Sequence, residues 1–456
     1  MMIKTLTDIS HIQSPNFIEL GRLDFFALFQ KVEKKFDTCF LLESLGENAK
    51  DARYSVIGFD PDTVISANGN MLNVNGEEYH FENPYYVLRN YIPKHYVPSS
   101  SIYSGGLVGY ISYDAMSLFE PALSIKQHEQ FPLFLFGLYE DGLLLDKTTG
   151  ITSYFYHTKD RSGIVRDLIQ EKQPAKTSLK IEAKGDSMSK ARHQEAVNEI
   201  IEEIKKGNTF QCQVGIKRLF DVEGDTLSLY EGLREINPSP HMYYLKFKEK
   251  IVIGASPELL LNLHEGIMET YPLAGTIKRG RSAEEDMEFA QTMLTDPKEL
   301  AEHRMLVDLH RNDLGKVARI GTVKISRLME VKRYSHVQHI SSEVIGIISP
   351  EENAFSALAA VFPAGTLSGT PKIESMKIIE RLEGNPRGPY GGAIGYFGFN
   401  GDCKMAIPIR SMFISNGEGY TQAAGGVVWD STPEGEYNEI QNKLAGMQKA
   451  IEPFII

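Results

Sequence analysis

The sequence predicts an α+β fold in which large antiparallel β-sheets form a sandwich with helices packed outside. Three observations carry this expectation. Several stretches alternate apolar and polar residues between tight turns, the period of half-buried strands. Others carry apolar residues at helical spacing behind clear N-caps. The two kinds follow each other irregularly, unlike the strict alternation of a doubly wound parallel sheet.

A helix is predicted at 22–35. Strand character marks FDTCFLLES (36–44), YSVIGFDP (54–61) and MLNVNGEEYHF (71–81). The stretch 171–189 is polar and lysine-rich, with Pro174 and Gly185, and reads as a linker. It divides the chain into regions 1–170 and 188–456. An amphipathic helix is expected at 190–206, closed by Gly207-Asn208. Strands are expected at 241–247, 250–256, 259–265, 321–331, 392–399 and 405–415. Helices fit 284–293, 297–310, 352–360, 371–383 and 433–451. GGLVGYISYD (105–114) is echoed by GGAIGYFGFN (391–400), and glycines repeated within a strand mark close approach of another backbone or a ligand.

A net charge of -12 argues against non-specific binding to nucleic acid or anionic membranes. It also means that an anionic substrate needs local cations. Cys39, Cys212 and Cys403 are scattered, so neither a disulfide framework nor a zinc site is expected, and a reducing cytoplasm fits. The N-terminus has no signal-peptide core, and no apolar run is long enough to span a bilayer.

The most informative feature is two glutamate pairs, each spaced i, i+3 on its own predicted helix: Glu299/Glu302 and Glu436/Glu439. Asp296-Pro297 and Thr432-Pro433 start these helices as N-cap and first-turn proline. Carboxylates beside an apolar stripe are costly unless something positive meets them, and a hard cation shared with an anionic ligand would do so. The plainer readings are a capping box for Glu299 and an ordinary Glu439–Lys443 surface pair.

Glu258, in SPELLL, follows an apolar strand and precedes three leucines. Such surroundings disfavour its charged form and suit a general acid; a solvated turn start is the alternative. PLAGTIKRG offers backbone amides at Gly275-Thr276 to an anion. FPAGTLSGTPK enters a helix through a glycine loop without Walker spacing. Arg410 lies in the apolar stretch MAIPIRSMFI, where its planar fork suits a carboxylate, of a ligand or of a structural glutamate. His336 and His339 sit in or near a strand. No nucleophile elbow supports serine hydrolase chemistry.

Together, GNTFQCQV, NPSPHMYYL, GASPELLL, PLAGTIKRG, KELAEHRMLVDLHRNDLG, SHVQHI, FPAGTLSGTPK, RGPYGGAIGYFGF, IPIRS and EGEYNEIQNK resemble the chorismate-utilising enzymes, most closely the large aminase subunits (component I) of anthranilate synthases. The resemblance covers nearly the whole chain and is densest from 188 to 451. It implies a magnesium-dependent lyase that converts chorismate and ammonia to anthranilate and pyruvate in tryptophan biosynthesis. Glu302 and Glu439 match magnesium ligands, with Glu299 and Glu436 in support. Glu258 matches the general acid for the departing C4 hydroxyl, and His339 a histidine of the aromatising elimination. Thr366, Gly275, Thr276, Tyr390, Arg410, Ala424, Gly425, Gly426 and Lys443 match residues at the chorismate; Thr366 is grouped with the catalytic ones. The family usually reads Gly-Ala-Gly at 424–426.

Ala274 stands where aminodeoxychorismate synthases place a nucleophilic lysine. Gln211 or Gln213 stands where isochorismate and salicylate synthases place a lysine base; the register between them is open. Both departures favour direct attack by ammonia. Cys212 and Cys403 lie in strand-like segments without a Cys-His-Glu constellation, so a separate glutamine amidotransferase subunit is expected to deliver ammonia. LLES and NPSPHM resemble the segments that bind L-tryptophan as inhibitor, which carries over to Ser44, Pro240, His241 and Met242. His241 stands where tyrosine is common. The rival readings are an aminodeoxychorismate synthase component and a non-catalytic tryptophan-sensing scaffold.

Overall fold

The computed structural model describes residues 9, 11–45, 53–95, 97–98, 103–333 and 337–456, apart from the side chains of Thr276 and Val337. Two twelve-stranded sheets of antiparallel ladders dominate it. One runs from the strand Asn16–Gly21 at one edge to Leu179–Asp186 at the other; the second runs from Leu273–Lys278 to Glu77–His80.

Period-two alternation decides which residue goes where. Phe40, Val56, Tyr243 and Val252 of the first sheet join a core shared with Leu107, Phe136 and Phe397 of the second. Their neighbours Leu41, Ile57, Tyr244 and Ile253 point the other way, under helices that contribute Phe29, Val165, Leu233 and Met447. Each helix thus buries one apolar stripe on an outer sheet face. No helix among the described residues is long and apolar enough to cross a membrane.

Both sheets take strands from both regions of the chain. Thr38–Glu43 pairs with His241–Phe247, and Gly106–Ile111 pairs with Ala393–Gly398. The second pairing joins the two echoing segments directly, with Gly109 opposite Gly395. A Cβ at Gly109 would strike the Leu135 carbonyl, which explains the repeated glycine by close strand approach.

Three expectations need correction. Within the linker 171–189, Leu179–Asp186 is a strand paired with Gln211–Gly224; its lysines and glutamates face solvent at a sheet edge, a composition that also protects edges. The stretch 71–81 is a hairpin of Met71–Val74 and Glu77–His80, turned by Asn75 and Gly76, both at positive φ. The stretch 405–415 is two strands in different sheets: Cys403–Ala406 in the second and Ser411–Ser415 in the first.

That last correction locates the site. The chain passes from the first sheet to the second at Pro257-Glu258, between Lys250–Ser256 and Leu259–His264, and returns through 407–410. The two corners are tied by the Ile407 amide donating to the Glu258 carbonyl at 3.0 Å.

Candidate active site

Glu258 occupies the first corner and is 7% exposed. Burial is the largest influence on its carboxyl and pushes it up to about 7, against the lowering effects of Thr366, Lys443 and Arg410. Thr366 donates its hydroxyl to Glu258 Oε1 at 2.8 Å. It sits in a single helical turn, Gly365–Ser368, where a Cβ on Gly365 would run into Leu309. Arg410 is not within a strand, as the sequence suggested. It lies in the second corner at φ +51°, half-buried, and its charge acts on both Glu258 and His339.

His339 lies on the strand Val337–Ile347. Its Nδ1 is 2.8 Å from the Gly275 carbonyl. A carbonyl only accepts, so Nδ1 carries the proton and Nε2 is the lone-pair nitrogen. Burial lowers this imidazole to about 4, so it is neutral at pH 7. Gly275 is at φ +63°, and a Cβ there would lie 3.2 Å from Glu299 Oε2; only glycine lets the loop press against that carboxylate. The Thr276 side chain and His336 lie outside the described residues.

Glu299 and Glu302 extend from the helix Pro297–Gly315, whose first turn is capped by Asp296 accepting from Lys298 N and Glu299 N. Glu436 and Glu439 extend from Pro433–Ile451, where Thr432 Oγ1 accepts from Gly435 N at 3.3 Å. The carboxyls of Glu299, Glu302 and Glu436 are all raised, burial being the largest cause in each, and the charge of Glu439 contributes to all three. The two pairs therefore lie within reach of each other's charge. Gln211 Nε2 donates to Glu302 Oε1 at 3.2 Å, and Ser431 to Glu436 Oε1 at 2.6 Å. Glu436 Oε2 is buried without a hydrogen bond. Glu439 and Lys443 form the plainer i, i+4 pair at 2.6 Å, while Lys443 also donates to the Ala424 carbonyl at 2.8 Å.

No three His, Cys, Asp or Glu side chains among the described residues close into a metal cage. Raised carboxyls, a partnerless buried oxygen and a loose acidic cluster fit a cation that takes one or two protein carboxylates and keeps its water. Magnesium behaves so.

The floor is the strand Glu418–Val427 paired with Gln211–Gly224. A Cβ on Gly425 would lie 2.8 Å from Glu436 Oε2, and one on Gly426 2.8 Å from Nε2 of both Gln211 and Gln213. Both glutamines therefore face this floor. Tyr390 is 2% exposed; burial raises its hydroxyl, and the nearby Ala424 backbone acts in the opposite direction. Ala274 is buried on Leu273–Lys278, opposite Ile340. Sequence reasoning assigned no role to Arg387 or Glu383, although Arg387 opens the block RGPYGG; the unspent signal was an arginine among glycines, proline and tyrosine.

The other predicted cluster lies elsewhere. The Leu45 amide donates to the Ser239 carbonyl at 2.8 Å and Glu43 pairs with Met242, so LLES and NPSPHM lie side by side. Ser44 Oγ is buried without a hydrogen bond. His241 pairs with Ser256, and burial lowers it to about 3. Pro240 is half-buried. Cys212 and Cys403 are buried thiols in strands, and burial pushes Cys212 up to about 12, far from the reactive thiolate range.

Comparison with known proteins shows the family. The chain is 50% identical to anthranilate synthase component 1 of Leptospira biflexa, covering 99% of each chain. It is 42% identical to the protein of the same name from Methanothermobacter thermautotrophicus, covering 97% of this chain and 96% of that one. The crystal structure of anthranilate synthase component I from Streptococcus pneumoniae superposes with a TM-score of 0.79 at 33% identity, covering 87% of this chain and 92% of that one. A family profile described as chorismate binding enzyme matches residues 37–449. The chain belongs to the chorismate binding enzyme family.

Proposed function

We propose that this protein is the aminating component of an anthranilate synthase: chorismate and ammonia give anthranilate, pyruvate and water, a lyase reaction of tryptophan biosynthesis in the cytoplasm. The observation that carries the reading is Glu258, a carboxyl raised to about 7 at a corner between sheets, beside the cations of Arg410 and Lys443. A site that holds a proton at neutral pH next to positive charge suits an anion with a poor leaving group.

Chorismate carries two carboxylates. Arg410 and Tyr390 would orient the enolpyruvyl side, with Gly275, Thr276, Ala424, Gly425 and Gly426 lending backbone contacts and Lys443 a further cation. Glu302 and Glu439 would hold magnesium, with Glu299 and Glu436 bonding its water; when bound, the ion offsets the charge of the ring carboxylate. Glu258, steadied by Thr366, protonates the C4 hydroxyl, which leaves as water while ammonia bonds to C2; the ammonium so formed sheds one proton, which balances the one Glu258 gave up. The ring then loses its C2 proton to His339 Nε2, the C3–oxygen bond breaks with its electron pair on oxygen, and the released enolate takes up a proton at carbon to become pyruvate. Ala274 offers no nucleophile, which supports amination over a covalent lysine route.

Ammonia would come from a glutamine amidotransferase partner, as the component naming of the relatives suggests. The residues in these steps all fall within 188–456, while region 1–170 adds Ser44 to a tryptophan site with Pro240, His241 and Met242. The chain supplied with chorismate, ammonium and magnesium is expected to generate anthranilate fluorescence; no anthranilate under those conditions would overturn the reading. Tryptophan is expected to lower that rate, and an indifferent rate would remove the regulatory site.

A further inference from the structure

Arg387 is among the largest fully buried side chains, at 2% exposure. Glu383 holds its guanidinium at two points, Nε to Oε2 at 2.8 Å and Nη2 to Oε1 at 2.6 Å. Nη1 donates to the Leu367 carbonyl at 2.6 Å. The ring of Tyr113 lies 4.5 Å from the guanidinium carbon and that of Tyr390 5.8 Å. Glu383 Oε1 also accepts from the Gly215 amide at 2.8 Å, and Gln422 Nε2 donates to Oε2 at 3.4 Å.

A buried ion pair is a poor device for stability alone, because apolar residues of similar volume often serve as well. This one reaches three parts of the site. Leu367 follows Thr366, whose hydroxyl meets Glu258. Tyr390, whose ring lies under the guanidinium, has its hydroxyl influenced by the Ala424 backbone. Gly215 is the ladder partner of Ala424. The planar fork of arginine can satisfy a carboxylate and a carbonyl together, which a lysine ammonium cannot do in the same geometry.

We infer that Arg387 and Glu383 are a positioning pair for the reaction: together they set Thr366 against Glu258 and Tyr390 against Ala424, while Arg387 itself stays off the substrate. The inference rests on the chorismate site proposed above. In R387K, kcat is expected to fall roughly 10²-fold, the scale of a small misplacement in an active site. The Thr366 hydroxyl lowers the Glu258 carboxyl, so the alkaline limb of kcat should move up in R387K as it does in T366V. The double variant should cost little more than the larger single change, because both act through one contact. Wild-type kcat and limb in R387K, or fully additive losses, would overturn the inference. If R387K does not fold, E383D keeps both charges, withdraws the carboxylate by one methylene and is read by the same outcomes. A wild-type chain that forms no anthranilate would strike the proposed reaction instead. The pair is then judged by carbon-13 titration of labelled glutamate: Glu258 moving up in R387K as in T366V upholds it, and an unmoved Glu258 overturns it.

Discussion

A carboxyl that gives up a proton at neutral pH must first keep one there, and Glu258 shows three forces settling that balance. Burial favours the neutral form, whereas the Thr366 hydroxyl and the charges of Lys443 and Arg410 favour the ionised one; burial wins, to about 7. Because the proposed general acid would act protonated, kcat is expected to fall as pH rises through about 7. Glu258→Gln keeps the shape but has no transferable proton, and should lose roughly 10²–10⁴-fold in kcat, the usual share of a general acid, with its thermal midpoint near wild type. A pH-independent kcat across 6 to 8, or a variant within about threefold of wild type, would count against the role. Glu258 was legible in sequence because its apolar flanks already imply a shifted carboxyl. Arg410 was misread as a strand residue because its neighbours are nearly all apolar. The signal against a continuous strand was Pro408, which cannot donate to a ladder; it marks the corner that carries the chain from one sheet to the other.

The two glutamate helices were the most readable elements, since Asp296-Pro297 and Thr432-Pro433 fix where each begins and hence which face each glutamate takes. The hairpin at 71–81 was written as plainly in Asn75-Gly76, a two-residue turn signal, but an unbroken strand pattern on either side hid it. That the two pairs feel each other's charge is a tertiary property that no local pattern carries, and it has a consequence for stability. The folded-state carboxyls of Glu299, Glu302 and Glu436 lie above their ordinary values. Each therefore costs stability once charged, so without metal the chain should lose thermal stability as pH rises from the ordinary carboxylate range towards neutrality. Magnesium should offset this, because a ligand bound only by the folded state stabilises it by mass action. In Glu302→Gln, calorimetry should show a metal-free midpoint at or above wild type, a greatly diminished magnesium shift and no turnover. A variant that keeps the full magnesium shift would remove Glu302 from the ligand set.

At the scale of the molecule, regions 1–170 and 188–456 looked separable because the segment between them is polar, and pairings between strands hundreds of residues apart leave no local trace. The one trace was the echo between 105–114 and 391–400, which turned out to be two neighbouring strands. Magnitudes decide what this joining means. The core contains contacts such as Phe136–Phe397, with ring centroids 5.8 Å apart, and Tyr103–Tyr396, at 4.9 Å, along with Leu107, Val108 and Leu138 packed in the same cluster. Exposing each such side chain costs about 1.5–3 kcal/mol. Even ten of them would outweigh the roughly 5–15 kcal/mol by which a domain is stable. Removing region 1–170 would also turn His241–Phe247 and Ala393–Gly398 into bare sheet edges, ready templates for aggregation. The intact chain is therefore expected to unfold in a single calorimetric transition. The fragment 188–456, although it holds every residue assigned to the chemistry, should show no cooperative transition, bind a hydrophobic dye and fail to turn over chorismate. A sharp melt or measurable turnover from that fragment would show that the catalytic half stands without its partner strands.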